Sequence, residues 1–287
     1  AASFIAIGTY DAVMVPLLND FTPESIQKLT NHSDATAIFT EPDIWEKMDA
    51  SQMPNINIAI NIQNFTPIYT KGHDVDAKAF HDKCEAIFKE RFPEGVKPEH
   101  ISYPTGSLDE LELINYTSGT TSFSKGVMLP SRALWSNVEF GKEKLGKALK
   151  AGDKIVSMLP MAHMYGLAFE FLYEFCAGCH VYFLTRTPSP KIILQAFAEV
   201  KPKIVNAVPL IIEKIIKKNV LPKLETPTMR FLMRVPLVND KIKAKVREQL
   251  INAFGGEFYE IIVGGAAFNQ EVEAFLHRIN FPYTVGY

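Results

Sequence analysis

The chain has 287 residues, 47% of them hydrophobic, and a formal net charge of −2. That is enough apolar material for a substantial buried core in one or two subdomains. The near-neutral balance excludes strong attraction to nucleic acid or an anionic membrane, and three cysteines are too few for a disulfide framework.

In chain order, helices and strands alternate. The opening AASFIAIGTY reads as the inside of a helix leading to a strand at Val13–Leu17, and Thr22 caps a further helix over Ser25–Asn31. Strands are expected at Ala35–Phe39, Ile56–Ile62, Leu111–Tyr116, Ile155–Leu159, Val181–Leu184, Ile204–Val208 and Tyr259–Val263. Helical patterns lie at Ala77–Arg91, Arg132–Leu149, Pro190–Val200, Pro209–Lys218 and Asp240–Phe254, and Asn269 caps another with Glu271 and Glu273 in its first turns. Near-continuously apolar strands separated by helices predict an α/β fold of parallel sheets covered by helices on both faces. Pro93–Thr105, rich in Pro and Gly, is the linker-like stretch. It divides a first α/β portion, 1–105, from a second, 106–287.

The longest apolar region, GLAFEFLYEFCAGCHVYFL, is interrupted by Glu170, Glu174 and His180. That argues against a membrane-spanning helix, which wants about 20 mostly apolar residues. No secretion signal is visible, and the cytoplasm is the expected compartment. Cys176 and Cys179 form a C-x-x-C without a second pair, and core packing is expected of them over redox or zinc chemistry. His81 and Cys84 read as surface residues over a metal pair. The run KIKAKVREQL (Lys241 to Leu250) reads as a solvated basic helix face, with the phosphates of coenzyme A as the alternative.

One segment carries chemistry more specifically: YTSGTTSFSKGVMLPS, from Tyr116 to Ser131. It follows an apolar strand. Gly119 and its small neighbours let backbone N–H groups point into a cavity. Thr117, Ser118, Thr120 and Thr121 add hydroxyls, and Lys125 adds positive charge. That is how a loop wraps a polyphosphate. A P-loop requires G-x-x-x-x-G-K-[ST]. Counted from Gly119, Ser124 and Gly126 fail two of its positions.

The spacing resembles the phosphate loop of the adenylate-forming (AMP-binding) superfamily, [YF]TSGTTGxPKGV, with long-chain fatty-acid–CoA ligases the most similar branch. Tyr116 through Thr121, Lys125, Gly126 and Val127 fit it. Ser122 replaces a glycine, Ser124 a proline and Ser131 a histidine. Two further segments agree, in order. LPMAHMYG resembles the family's LPxxHxxG, which implies an acyl pocket at His163, Met164 and Gly166. Alone, His163 reads as a hydrogen-bonded core histidine. IIVGGAAFNQ resembles the adenine-contacting turn, at Gly264, Gly265 and Ala266; alone, it is an ordinary strand-to-helix turn. The closing PYTVGY resembles the strand entering GYGxTE, which places Gly286 and Tyr287 at the nucleotide. The glutamate that binds Mg2+ in the family falls after Tyr287. The resemblance thus implies part of an acyl-CoA-synthetase-like large domain, truncated at both ends, without the small C-terminal domain and its lysine, and inactive as this chain alone.

Loops at equivalent carboxyl ends of parallel strands are expected to converge on one crevice. The resemblance implies ATP-dependent activation of a long-chain fatty acid to an acyl-adenylate and then to acyl-CoA, an acid–thiol ligase reaction releasing AMP and pyrophosphate. Lys125 and His163 are its catalytic candidates; fatty acid, ATP and coenzyme A are its partners, with no nucleic acid. Peripheral membrane contact and a homodimer are compatible with it. MAHMYGLAFEF lacks the aspartate that would hold an amino-acid substrate. Two alternatives are a fatty-acyl-AMP ligase passing the acyl group to a carrier protein, and a non-catalytic nucleotide- or lipid-binding relative.

Overall fold

The computed structural model describes residues 1–103, 105–117, 125–224, 226–232 and 235–286. They divide into two units, Ala1–Ala133 and Leu134–Tyr287.

The first unit begins with α1 (Ala2–Thr9) and α2 (Pro23–His32). The Thr22 hydroxyl accepts the Ser25 N–H and Pro23 opens α2, an ordinary N-terminal cap. Strands β1 (Ala37–Thr40) and β2 (Ile58–Asn61) pair in parallel. Strand β3 (Pro67–Thr70) adds antiparallel to β2, followed by α3 (Ala77–Arg91). Strands β4 (Leu111–Thr117) and β5 (Lys125–Pro130) form a separate antiparallel ribbon. The expected parallel pairing is found in this unit at β1–β2, and the antiparallel β2–β3 and β4–β5 pairs come in addition to it. The strand expected at Val13–Leu17 is not formed: Met14 makes an isolated bridge to Leu113. Asp11 turns the chain with a positive φ of 63°, and Pro16 has no N–H to continue a ladder.

The second unit fulfils the parallel expectation. Strands β6 (Lys154–Ser157), β7 (His180–Phe183), β8 (Ile204–Ala207), β9 (Glu260–Val263) and β10 (Tyr283–Val285) lie in the order β7-β6-β8-β9-β10, all parallel. Before β6 runs α4 (Ser131–Leu145). Between β6 and β7, α5 (Met164–Leu167) continues through a π-helical turn (Ala168–Leu172) into α6 (Tyr173–Cys176). Helices α7 (Pro190–Val200), α8 (Pro209–Asn219), α9 (Pro236–Ala253) and α10 (Gln270–Arg278) make the later crossovers. All four residues of β8 are buried, as a central parallel strand requires. A cluster of rings, Phe197, Phe254, Phe258 and Phe281, packs among the crossovers and the sheet.

The chain goes from β6 outward to β7, then returns to the other side of β6 to lay down β8. That reversal is a topological switch point, and the crevice outside the carboxyl ends of β6 and β8 is where such sheets bind ligands. The segment carrying His163 leaves β6 at that point.

Cys176 is exposed at the end of α6, and Cys179 is half-buried with its Sγ 3.7 Å from the Lys150 carbonyl. The expectation that both pack in the core is corrected: Gly178, at φ 76°, turns the chain at the surface between them. Burial holds both thiols above the usual range, so neither is an activated thiolate. His81 and Cys84 are exposed, as are Lys241 and Lys245 on α9. Among the described residues no helix is long and apolar enough to cross a membrane.

Phe254 is 1% exposed and touches three other rings. Phe254→Ala should cost roughly 3–5 kcal/mol in urea unfolding. Lys89→Ala, which removes an exposed pair with Glu85, should cost less than about 0.5 kcal/mol. Similar losses from the two would contradict this placement of the core.

Candidate active site

The segment expected to hold phosphates is flanked by the β4–β5 ribbon. Thr117 lies opposite Lys125 and Tyr116 opposite Gly126 in the β4–β5 register. A Cβ on Gly126 would come within 3.1 Å of both Ile114 and the Tyr116 ring, so that glycine lets the ring lie flat over the opposing strand. The Tyr116 hydroxyl is 2.7 Å from His32 Nδ1 and also bonds the Leu29 carbonyl, tying the ribbon to the end of α2. Burial holds this phenol above its ordinary pKa. Lys125 is exposed, and Ser131 donates to Glu112 Oε2 at 2.9 Å. Ser118, Gly119, Thr120 and Thr121 of the expected site lie outside the described residues, with Ser122, Ser124 and Tyr287. The loop joins antiparallel strands, so departure from a parallel strand holds for the His163 and Gly264 segments and is corrected for this one.

In the second unit the structure brings the other two segments together, through a residue that the sequence reading passed over. His163 is exposed and begins α5, its N–H donating to the Pro160 carbonyl at 2.9 Å. This corrects the stand-alone reading of a core histidine. Gly166 fits where a Cβ would lie 2.7 Å from the Pro160 carbonyl and 2.9 Å from Leu159 Cβ. Between them Tyr165 reaches across the sheet, its hydroxyl donating to the Ile262 carbonyl on β9 at 3.0 Å. Its ring closes on the Gly264 turn, where an added Cβ would sit 3.0 Å from the ring and 3.1 Å from the Gly286 carbonyl. Gly264 donates to the Ala207 carbonyl and Gly286 to the Val263 carbonyl, so the ends of β8, β9 and β10 are held in one row. Gly265 takes a positive φ of 84° and is exposed with Ala266, presenting bare backbone of the kind a flat ring can approach. Asn269 caps α10 by accepting the Val272 N–H, as expected, and its own N–H donates to Glu213 on α8.

The family model for AMP-binding enzymes matches residues 1–287, the whole chain. The chain belongs to the AMP-binding enzyme family. Among curated relatives it is 24% identical to long-chain-fatty-acid–CoA ligase 5 of Mus musculus over 296 residues, covering 95% of this chain and 41% of that protein. It is 25% identical to long-chain-fatty-acid–CoA ligase 4 of Saccharomyces cerevisiae, covering 89% of this chain and 40% of the relative. It therefore spans about two-fifths of the length of these relatives. Among solved structures, the anthranilate CoA ligase AuaEII in complex with anthranoyl-AMP superposes with a TM-score of 0.68 at 12% identity, over 99% of this chain and 47% of that one. At that identity the likeness speaks for the shared fold.

Within this family member, the unexpected feature is a pair of buried acids under the His163 segment. Glu170 and Glu174, each 0% exposed, stand one helical turn apart across the π-helical turn. Glu170 Oε2 accepts the N–H groups of Met158 (2.8 Å) and Leu159 (2.6 Å), which is why β6 ends at Ser157, two residues short of the sequence expectation. Asn206 on β8 donates to Glu174 Oε1 and to the Phe169 carbonyl. Burial pushes both carboxyls up to about 8, with Glu174 adding to the effect on Glu170, so both are mainly protonated at neutral pH. Burial, helped by the two acids, also pushes up the Tyr165 phenol, which stays a hydrogen-bond donor. The sequence signal for this pair was present: two acids four apart inside an apolar run. Among the described residues no group of three His, Cys, Asp or Glu side chains is placed to hold a metal ion, and none of them is assigned to Mg2+.

The linkage has a definite sign. Between the unfolded carboxyl pKa near 4.5 and the folded value of about 8, the native state holds more protons than the unfolded chain. Stability therefore falls as pH rises through that window and levels off above it. The double variant Glu170→Gln/Glu174→Gln should lack this slope: from pH 5 to pH 8.5 the parent should lose about 5 °C or more of Tm relative to it. Parallel Tm profiles would contradict the assignment. Gly166→Ala should cost about 1–3 kcal/mol, because helix α5 must back away from Pro160; denaturant midpoints measure it.

Proposed function

We propose that this chain forms part of the adenylating region of a long-chain fatty-acid–CoA ligase. The observation that carries the reading is the parallel sheet whose switch point bears the LPMAHMYG segment, fastened by Tyr165 to the Gly264–Gly265 turn. Family membership over all 287 residues supplies adenylate formation. The curated relatives named as long-chain-fatty-acid–CoA ligases support the acyl substrate.

The chemistry follows from a poor electrophile. A fatty-acid carboxylate has no adequate leaving group at its carbonyl carbon. One carboxylate oxygen attacks the α-phosphorus of ATP, the bond to the bridging oxygen breaks, and pyrophosphate leaves. The resulting acyl-adenylate carries AMP as its leaving group, which the thiol of coenzyme A displaces to give the thioester. The first step builds negative charge on phosphoryl oxygens. In the second the thiol gives up its proton, and charge builds on the acyl oxygen and then on the departing AMP, so positioned donors and cations carry most of the acceleration. Thr117, Ser118, Gly119, Thr120, Thr121 and Lys125 take the departing phosphates in this reading. Gly264, Gly265, Ala266, Gly286 and Tyr287 take the adenylate, and His163, Met164 and Gly166 belong to the acid pocket, Gly166 by seating the helix against Pro160. The apolar composition of MAHMYGLAFEF favours an uncharged acyl chain over an amino acid.

The test is acid-dependent ATP–pyrophosphate exchange by the full-length gene product. Palmitate-like acids should support exchange and amino acids should not. Lys125→Ala should lower it about 100- to 1000-fold, while His163→Ala should act chiefly through the acid. Exchange that is absent with every acid, in a folded protein, would sink the reading.

A further inference from the structure

Glu170 has no part in the reaction just described, yet it grips the chain at the point where the His163 segment begins. The amides of Met158 and Leu159 are the first beyond β6, and the next residue, Pro160, has no N–H to offer. Without a partner these two donors would be buried orphans. Glu170 Oε2 accepts both, at 2.8 and 2.6 Å. Because Glu170 belongs to the helical run that His163 opens, the two bonds close a ring of chain: its start at Met158 and its end at Glu170 are joined, with His163, Met164, Tyr165 and Gly166 between them. Two other contacts remove the remaining slack, Gly166 against Pro160 and Leu159, and the Tyr165 hydroxyl on Ile262.

The surroundings argue that the carboxyl is kept for geometry. No lysine or arginine is paired with Glu170 among the described ion pairs. Among the described residues Glu174 Oε2 and Asn206 Oδ1 have no hydrogen-bond partner, and Ser157 is the side chain beside the Glu170 carboxyl. A buried acid without a counter-charge lowers stability relative to a packed apolar side chain. What it supplies is a single oxygen aimed at two amides, which no apolar residue can offer. The π-helical turn (Ala168–Leu172) in which it sits is a backbone irregularity that recurs at functional sites.

We propose that Glu170 is a positioning residue for the acid-binding segment: by accepting the Met158 and Leu159 amides it sets the path of residues 160–166 and so the placement of His163 relative to the carboxylate being activated. The proposal rests on the adenylation reading for its consequence, and on the hydrogen bonds alone for the holding of the segment. Glutamine reproduces the accepting oxygen; methionine fills the volume without it.

The experiment compares Glu170→Gln and Glu170→Met in the full-length protein, by pyrophosphate exchange and by hydrogen–deuterium exchange of the peptide spanning residues 157–167. Glu170→Met should raise the KM for palmitate or lower the acid-dependent rate at least about tenfold with the KM for ATP unchanged, and should speed deuterium uptake in that peptide but not across β8 and β9. Glu170→Gln should restore both to within about twofold of the parent. Equal failure of the two variants, an ATP KM rising in step with the acid KM, or unchanged uptake in Glu170→Met would each overturn the proposal. If the parent protein shows no exchange with any acid, the adenylation reading fails separately, while the deuterium uptake still decides whether Glu170 holds the segment.

Discussion

The contact on which the second unit depends is a tyrosine ring lying where a glycine leaves room for it. Tyr165 cannot reach the Ile262 carbonyl unless Gly264 lacks a side chain, and α5 cannot present Tyr165 unless Gly166 lets the helix press against Pro160. Two absent Cβ atoms and one phenol thereby join the end of β6 to the end of β9, over the strand between them. Strand order places the crevice, and this contact fixes what borders it. Interiors as dense as a protein's transmit small displacements, so an extra methyl at either glycine moves the neighbouring segment as well.

The first unit solves a different problem by the same means. In the proposed reading the segment between β4 and β5 receives phosphates, and that role wants a rigid base. The β4–β5 ribbon gives the base: Tyr116 packed on Gly126, its hydroxyl tied to His32, and Thr117 facing Lys125 across the last pair. The lysine thus starts from a fixed backbone position, and its long side chain supplies the reach. Ser131, in place of the family's histidine, has its hydroxyl engaged by Glu112 and serves the ribbon.

Much of this was legible in the residues because the signals were local. Helix α3 and helix α7 begin and end where capping and periodicity place them, at Ala77–Arg91 and Pro190–Val200. The cap at Asn269 and the glycine turn before it are also as expected. What the residues did not show depends on partners distant in sequence. The Val13–Leu17 run is apolar enough for a strand, but an isolated bridge to Leu113 is all its backbone can make. Whether a strand pairs in parallel or antiparallel fashion is equally invisible in its own residues, hence the reversal at β4–β5. In the sequence Glu170 and Glu174 only break an apolar run; their amide and amide-donor partners, Met158, Leu159 and Asn206, lie 11 to 32 residues away. Cys176 lies at the surface against expectation, because apolar neighbours say little about which side of a short helix faces water.

The strand order also bears on how the chain is made. Strand β6 occupies an interior position, but its two neighbours arrive at different times: Val181 meets Ile155 first, and Ile204 comes only after α7 has been synthesised. Until then the side of β6 that will receive β8 is a bare edge on a strand whose Ile155, Val156 and Ser157 are all destined for the interior. A chain emerging from the N-terminus at some 5–20 residues per second leaves such an edge open for seconds. Unpaired edges of apolar strands are templates for the wrong partner, and non-local parallel pairing is slow in any case. The same strand order that sets a switch point in the finished sheet therefore leaves β6 with one open edge in the nascent chain until β8 arrives.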